Sequence, residues 1–195
     1  MKKIFLCFLL CVLFANPALA AMSDAEFFEL IRNGTPGEII EAIEADANVN
    51  ARRLIGRTAL MFAAGSSSSP EVITALIEAG ADVNARNERG TTVLMSAAGG
   101  SAYPEVITAL IEAGVDVNAR CGHGGTALIH GAVFNRNPEV IIALIEAGAD
   151  VNAVSANGKT AIDYVRAIDY ARARGNIASA LRDTDAYRRL YEASR

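Results

Sequence analysis

The chain has no tryptophan, two histidines and three cysteines in 195 residues, and only 6% of it is aromatic. Cys7 and Cys11 stand inside an apolar run near the start, which leaves Cys121 as the one thiol beyond it. One thiol forms no internal disulfide even in an oxidising compartment, so stability has to come from packing. Positive charge is also short, with 18 Lys+Arg against 22 Asp+Glu and a formal net charge of −4. That balance disfavours a nucleic acid or an anionic membrane as partner. Past Phe14 no segment has the apolar length needed to cross a membrane. Nucleophile motifs, Gly-rich phosphate loops and cofactor fingerprints are missing too, and no cofactor is expected. Gly99-Gly100 closes a helical pattern rather than opening one after a strand.

What is there begins with Lys2 and Lys3, the apolar run Ile4–Phe14, then Ala15-Asn16-Pro17 and the small-residue site Ala18-Leu19-Ala20. A basic start, a short apolar core and an A-x-A site make a secretory signal peptide, too short for a stable transmembrane helix. Neither early cysteine follows small residues, which argues against a lipoprotein signal. Residues 1–20 are therefore expected to be removed and 21–195 to form the domain. Losing Lys2 and Lys3 takes the formal charge from −4 to −6. The short lysine-started signal is of bacterial type, and a periplasmic or secreted product, with no membrane contact after cleavage, is expected.

The rest is organised by a repeat. Pro70–Arg86 reads PEVITALIEAGADVNAR. It returns at Pro104–Arg120 with Ala81 changed to Val115, and at Pro138–Val154 with Thr74 changed to Ile142 and Arg86 to Val154. A looser copy starts at Pro36, so the four prolines stand 34 residues apart. A fixed period of this size marks a solenoid whose units bury their apolar faces against their neighbours. In the Pro70 unit, Ser69, Pro70 and Glu71 open a helix, with Val72, Ile73, Leu76 and Ile77 on its inner side and Gly80 to end it. Thr35 and Glu38 add a capping box in the first unit. Tyr103 is a poor cap, and Asp46 stands where the other units have the terminating glycine.

A polar connector follows each helix and turns at Gly56, Gly90, Gly124 and Gly158. A thin second helix then begins at Thr58, Thr92, Thr126 or Thr160, kept slim by alanines and Gly131 so that neighbours approach closely. Gly65–Ser69, Gly99–Tyr103 and Val133–Asn137 lead to the next proline. At the ends, Ser23–Arg32 reads as an inner helix of a partial first repeat. Ala161–Arg166 is nearly copied by Ala167–Arg172, and Thr184–Ala193 reads as a closing helix. This extended end is expected to cover Ile142.

The A-D-V-N-A connector, the G-x-T-A-L start and the paired alanines resemble ankyrin repeats from about Ser23 to Arg195. Ala59, Val93, Ala127 and Ala161 depart from the family's usual proline, and Met61, Met95, Ile129 and Asp163 from its usual histidine. A 34-residue period also suits tetratricopeptide repeats, but the missing tryptophan and the Gly-x-Thr turn set that alternative aside. The resemblance implies an all-α ankyrin-repeat solenoid of helix-turn-helix units with hairpin-like connecting loops. Its units fall near 21–55, 56–89, 90–123, 124–157 and 158–195, the first and last acting as caps.

Candidate chemistry is sparse. Glu71, Glu105 and Glu139 recur in first helical turns, where the dipole favours them and where no catalytic acid would need copying. Asn50, Asn84, Asn118 and Asn152 read likewise as connector framework. Cys121, His123 and His130 share one repeat and are zinc- or thiol-type side chains, but their spacing fits no four-ligand site. No metal is expected, and a metal or thiol redox protein stands as the competing enzymatic class. The resemblance places partner contacts on the connector tips and helix ends. The tip candidates are Arg52, Leu54, Ile55, Arg57, Arg86, Glu88, Arg89, Thr91, Arg120, His123, Asn157 and Lys159, and Phe134 is the candidate at a helix end. Connector cations against acids on the outer helices suggest a relatively basic concave side suited to an acidic protein partner. The expectation is a monomeric, exported, non-enzymatic scaffold that binds protein, with an effector acting on a host protein as the alternative.

Overall fold

The computed structural model describes residues 22–66, 69–135 and 137–172, together with 188, 191 and 192. In chain order the elements are α1 (Asp24–Asn33), α2 (Pro36–Glu44), β1 (Arg52–Arg53), β2 (Arg57–Thr58), α3 (Ala59–Gly65), α4 (Pro70–Glu78), α5 (Val93–Gly100), α6 (Pro104–Glu112), α7 (Ala127–Phe134), α8 (Pro138–Glu146) and α9 (Ala161–Arg172). The odd-numbered helices stack as an inner layer and α2, α4, α6 and α8 as an outer one. This is an all-α repeat solenoid, to which β1 and β2 add a short antiparallel pair in the first connector.

Local chemistry sets the helix starts. The Thr58, Thr92 and Thr126 hydroxyls accept from the backbone N–H groups of Met61, Met95 and Ile129 at 3.2, 3.3 and 3.4 Å, satisfying donors that a first turn leaves open. Two departures from the family pattern join these caps. The Met95 Sδ accepts from Thr92 N–H at 3.5 Å, and the Asp163 carboxylate accepts from Thr160 N–H at 3.0 Å and from the Thr160 hydroxyl at 2.7 Å. Those two bonds hold the Asp163 carboxyl below its ordinary pKa. Capping boxes at Ser23–Glu26 and Thr35–Glu38 fix the first two helices. Tyr103 gives its helix no side-chain cap. At the outer helix ends Gly80, Gly114 and Gly148 take φ 86°, 84° and 85°, and Asp46 takes the same left-handed conformation at φ 65°.

Packing follows the two layers. Val72, Ile73 and Leu76, with their copies Val106, Ile107, Leu110 and Val140, Ile141, Leu144, are buried between layers. Each such aliphatic side chain contributes about 1.5–3 kcal/mol of burial. The inner helices are closer still, because small residues meet there. A Cβ on Gly100 would stand 2.2 Å from the Gly65 carbonyl oxygen, and between the layers one on Gly131 would stand 2.9 Å from Ile141 Cδ1 of the outer helix α8. Ala63, Ala64, Ala97 and Ala98 are buried beside them.

Ile142 is half-buried against the core. The extended end expected to cover it, and the expected Thr184–Ala193 helix, lie mostly outside the described residues, as does the expected signal segment. Within the described residues Arg166 lies over the Tyr191 ring, 5.3 Å from its centroid.

Candidate protein-binding surface

The connectors are the structural key to the surface. In the second connector Asn87 N–H donates to Thr91 O, Arg86 pairs with Thr92, and Gly90 turns the chain at φ 72°. The Asn87 side-chain oxygen accepts from Arg89 and Thr91 N–H, both at 2.9 Å, and so builds the turn from inside. Each connector is thus a narrow hairpin carrying two tip residues before its glycine: Leu54-Ile55, Glu88-Arg89, Gly122-His123 and Ala156-Asn157.

Successive hairpins are fastened twice. Backbone N–H groups of Glu88, Gly122 and Ala156 donate to the carbonyls of Ile55, Arg89 and His123 at 3.0, 2.9 and 2.8 Å. Arginines make the second set. Arg52 Nη1 donates to its own Gly56 O at 3.2 Å and to Arg86 O in the next hairpin at 3.1 Å. Arg86 Nη1 repeats this with Gly90 O at 3.3 Å and Arg120 O at 2.9 Å, and Arg120 Nη2 donates to Val154 O. Val154, which replaces arginine in the last copy, accepts from this ladder without continuing it. Below it, Asn50 bonds Gly80 O and Asp82 N–H, and Asn118 bonds Gly148 O and Asp150 N–H, so the connector asparagines also tie neighbouring repeats.

This ladder sorts the sequence-predicted site residues. Arg52, Arg86 and Arg120 are exposed, yet their guanidinium groups are engaged in framework bonds. Arg57 lies over the Phe62 ring at 5.3 Å and Lys159 over Tyr164 at 5.7 Å. Arg53 bonds Glu29 at 3.1 Å and lies over Phe28 at 5.9 Å. Thr91 is half-buried in its turn, and Glu88 is exposed with its backbone tied to Ile55. Of the connector cations, Arg89 alone has a side chain with no partner among the described residues. Most of the hydrogen-bonding capacity of the connector cations thus serves the fold.

What remains is a row. Arg89, His123 and Asn157 occupy the same position 34 residues apart, all exposed, and among the described residues their side chains make no hydrogen bonds. The backbones beneath Arg89 and His123 are fastened to the next hairpin. Across the inner face, Phe134 is 65% exposed at the end of α7, with the His130 ring 5.9 Å away. It borders an open cleft of about 390 Å³ over Gly99, Gly100 and Ser101. Asn135 fixes the cleft wall by donating to Ala98 O at 2.8 Å and Ser101 O at 2.9 Å.

The first hairpin differs from the others. Arg53 offers no acceptor where Asn87 has one, and Ile55 sits at φ 59°, ψ 24°, a left-handed conformation that its branched side chain disfavours. Its tip is apolar, with Leu54 79% and Ile55 38% exposed. Val154, another connector residue, is also exposed, and Tyr103 is an exposed apolar residue that sequence reasoning did not place on the binding surface.

Cys121 and His130 do approach each other, since a Cβ on Gly125 would stand 3.3 Å from both Cys121 Sγ and His130 Nε2. His123 stays out on the hairpin tip. Burial lowers the His130 pKa and favours a neutral imidazole. Among the described residues no three His, Cys, Asp or Glu side chains gather where a metal ion would fit, and no helix is long and apolar enough to cross a membrane.

A family model described as ankyrin repeats (3 copies) matches residues 19–121 and again 68–155 of the chain. No curated protein matches it.

Proposed function

Because the chain belongs to the ankyrin repeat family, whose repeats are protein–protein interaction modules and typically non-enzymatic, we propose that it is an exported scaffold that binds a protein across its hairpin tips and inner-helix ends. The observation that carries this reading is the row Arg89, His123 and Asn157, whose side chains are unengaged while the backbone bonds between hairpins hold the tips in place. A surface fixed before the partner arrives loses little conformational entropy on binding. Phe134 supplies an aromatic anchor beside the cleft, the type of residue that dominates interface energetics. Arg89 offers the partner an unused guanidinium, which suits a carboxylate on the other side.

The repeated arginines contribute in another way, as struts that keep the tips in register. Their charge still biases the hairpin side towards an acidic protein surface. Export rests on the N-terminal pattern of lysines, apolar run and Ala18-Leu19-Ala20.

Affinity capture with the purified chain, from the envelope fraction and the medium of the producing cell, tests both parts. The wild type is expected to retain a defined protein that Arg89→Ala/His123→Ala/Asn157→Ala/Phe134→Ala releases. Unchanged affinity of an identified partner for that quadruple variant would refute the surface. An intact mass that includes residues 1–20, with the protein held in the cytoplasm, would refute export. Recovery in the medium with a partner from another organism would favour the effector reading.

A further inference from the structure

The ladder has a direction, and its two ends are unlike. Every rung arginine reaches towards the C-terminal neighbour, and every fastened tip N–H reaches back towards the N-terminal one. Four carbonyls occupy the receiving position: Arg52, Arg86, Arg120 and Val154. The last three accept a guanidinium from the hairpin before them. Among the described residues nothing donates to the Arg52 carbonyl, and nothing accepts from Leu54 N–H, the counterpart of the Glu88, Gly122 and Ala156 donors.

Two independent features mark the same end. Leu54 is 79% exposed where the other hairpins carry Glu88, Gly122 and Ala156. Ile55 beside it is held at φ 59°, a conformation that costs a branched residue about 1–2 kcal/mol. An apolar, strained tip at the open edge of a hydrogen-bonded ladder is an edge to be covered, in the way that an exposed sheet edge accepts an added strand.

We propose that the open N-terminal edge of the first hairpin docks a partner segment presenting an arginine on a tight turn. It names the chemistry of one contact of the protein-binding module and so rests on that reading. The array itself shows what fits. The guanidinium of the docked turn donates to its own turn carbonyl and to Arg52 O, as Arg52 does to Gly56 O and Arg86 O. A carbonyl at its tip accepts from Leu54 N–H, and an apolar side chain covers Leu54. Lysine is a poor substitute, because its flexible and strongly hydrated ammonium is not held in place between two carbonyls as the rigid, planar guanidinium is. A second copy of this chain is a worse occupant, since its last hairpin carries Val154 where the rung needs arginine.

The test uses the purified chain, as processed by the producing cell, and a cyclised fluorescent peptide with the sequence of residues 82–92 carrying Arg89→Leu, so that its tip is apolar while Arg86 and the carbonyl at position 89 keep the places that make these contacts inside the array. Anisotropy titration is expected to show saturable binding. Leu54→Asp in the protein and Arg86→Ala or Arg86→Lys in the peptide should each weaken it about tenfold or more, as loss of a charge-assisted bond or apolar contact implies. Arg89→Ala/Phe134→Ala in the protein should leave it unchanged, which separates this edge from the concave surface. Leu54→Ser, at an exposed position, repeats the test without a new charge. The proposal is overturned if the peptide does not saturate, which includes the case where the segment before Met22 already fills the edge. It is also overturned if Leu54 variants bind normally, or if Leu54→Asp abolishes a self-association of the chain instead. Retained peptide binding alongside failed capture of any partner would sink the concave reading and leave this edge standing.

Discussion

Gly99 and Gly100 are adjacent in α5, and a methyl group added to each should act in opposite directions. At Gly99 the new Cβ meets Phe134 Cβ and Cδ2 at 3.7 Å, an ordinary contact. Replacing a helical glycine by alanine then gains about 0.5–1 kcal/mol, because the unfolded chain loses freedom. At Gly100 the Cβ would lie 2.2 Å from Gly65 O and 2.9 Å from Gly65 C. Both are backbone atoms, so no side chain can swing aside, and α3 and α5 must part by roughly 1 Å. Overpacking of this kind costs about 1–3 kcal/mol, more than the helix gain. At roughly 2–4 °C per kcal/mol for a domain of this size, Gly99→Ala should raise the thermal midpoint by about 1–4 °C. With the helix gain set against it, Gly100→Ala loses roughly 1–2 kcal/mol and should lower the midpoint by about 2–8 °C. Far-UV circular dichroism melts of the two variants and the wild type decide the matter. If Gly100→Ala melts at or above the wild type, the close approach of the inner helices is not what sets their spacing.

Arg86→Ala removes a guanidinium that fastens two hairpins, and because the site is exposed the loss should be about 1 kcal/mol in urea unfolding, with Arg86→Lys recovering little of it. Ile55→Gly should stabilise the chain by about 1 kcal/mol, visible as a higher thermal midpoint, because glycine takes φ 59° without steric cost. His130 is held below its ordinary pKa of 6.5 by burial, so the unfolded chain takes up that proton first as pH falls. Stability should be full above about pH 6.5 and decline below it until the folded imidazole also protonates, and His130→Leu should flatten that part of the profile.

Much of the architecture is legible in the sequence because a repeat states its rules four times. The prolines, the turn glycines and the apolar stripes each recur at one spacing, and the same recurrence marks Glu71, Glu105 and Glu139 as helix chemistry rather than catalysis. Applied to arginine, that criterion separates Arg52, Arg86 and Arg120 from the binding candidates on spacing alone. They recur at 34 residues, and the series gives way to Val154 in the fourth copy. Charge conceals this, since an exposed arginine on a loop reads as a partner contact when its carbonyl acceptor lies in another repeat. The capping roles of Met95 and Asp163 are illegible for a related reason: composition does not show which way a side chain turns. The strain at Ile55 is illegible as well, since Arg89, His123 and Asn157 precede the other turn glycines without a positive φ, although only Asn87 braces its turn with a side-chain acceptor.

Every side chain that ties one hairpin to the next is repeated, so variation at those positions would loosen the stack, whereas variation at Ile55, Arg89, His123 and Asn157 leaves every fastening bond in place. The backbone at the first three of these accepts the rung from the following hairpin while the side chain points away from that duty. A repeat built this way lets the tip change without re-solving the fold, because the bond that positions it belongs to the main chain and is indifferent to the residue. The limit of that freedom is Ile55, where the tip changed and the turn conformation changed with it. The first hairpin tolerates this because, among the described residues, its outer edge has no preceding rung to keep in register. The place where the framework binds least is therefore also where the chain carries its most apolar tip.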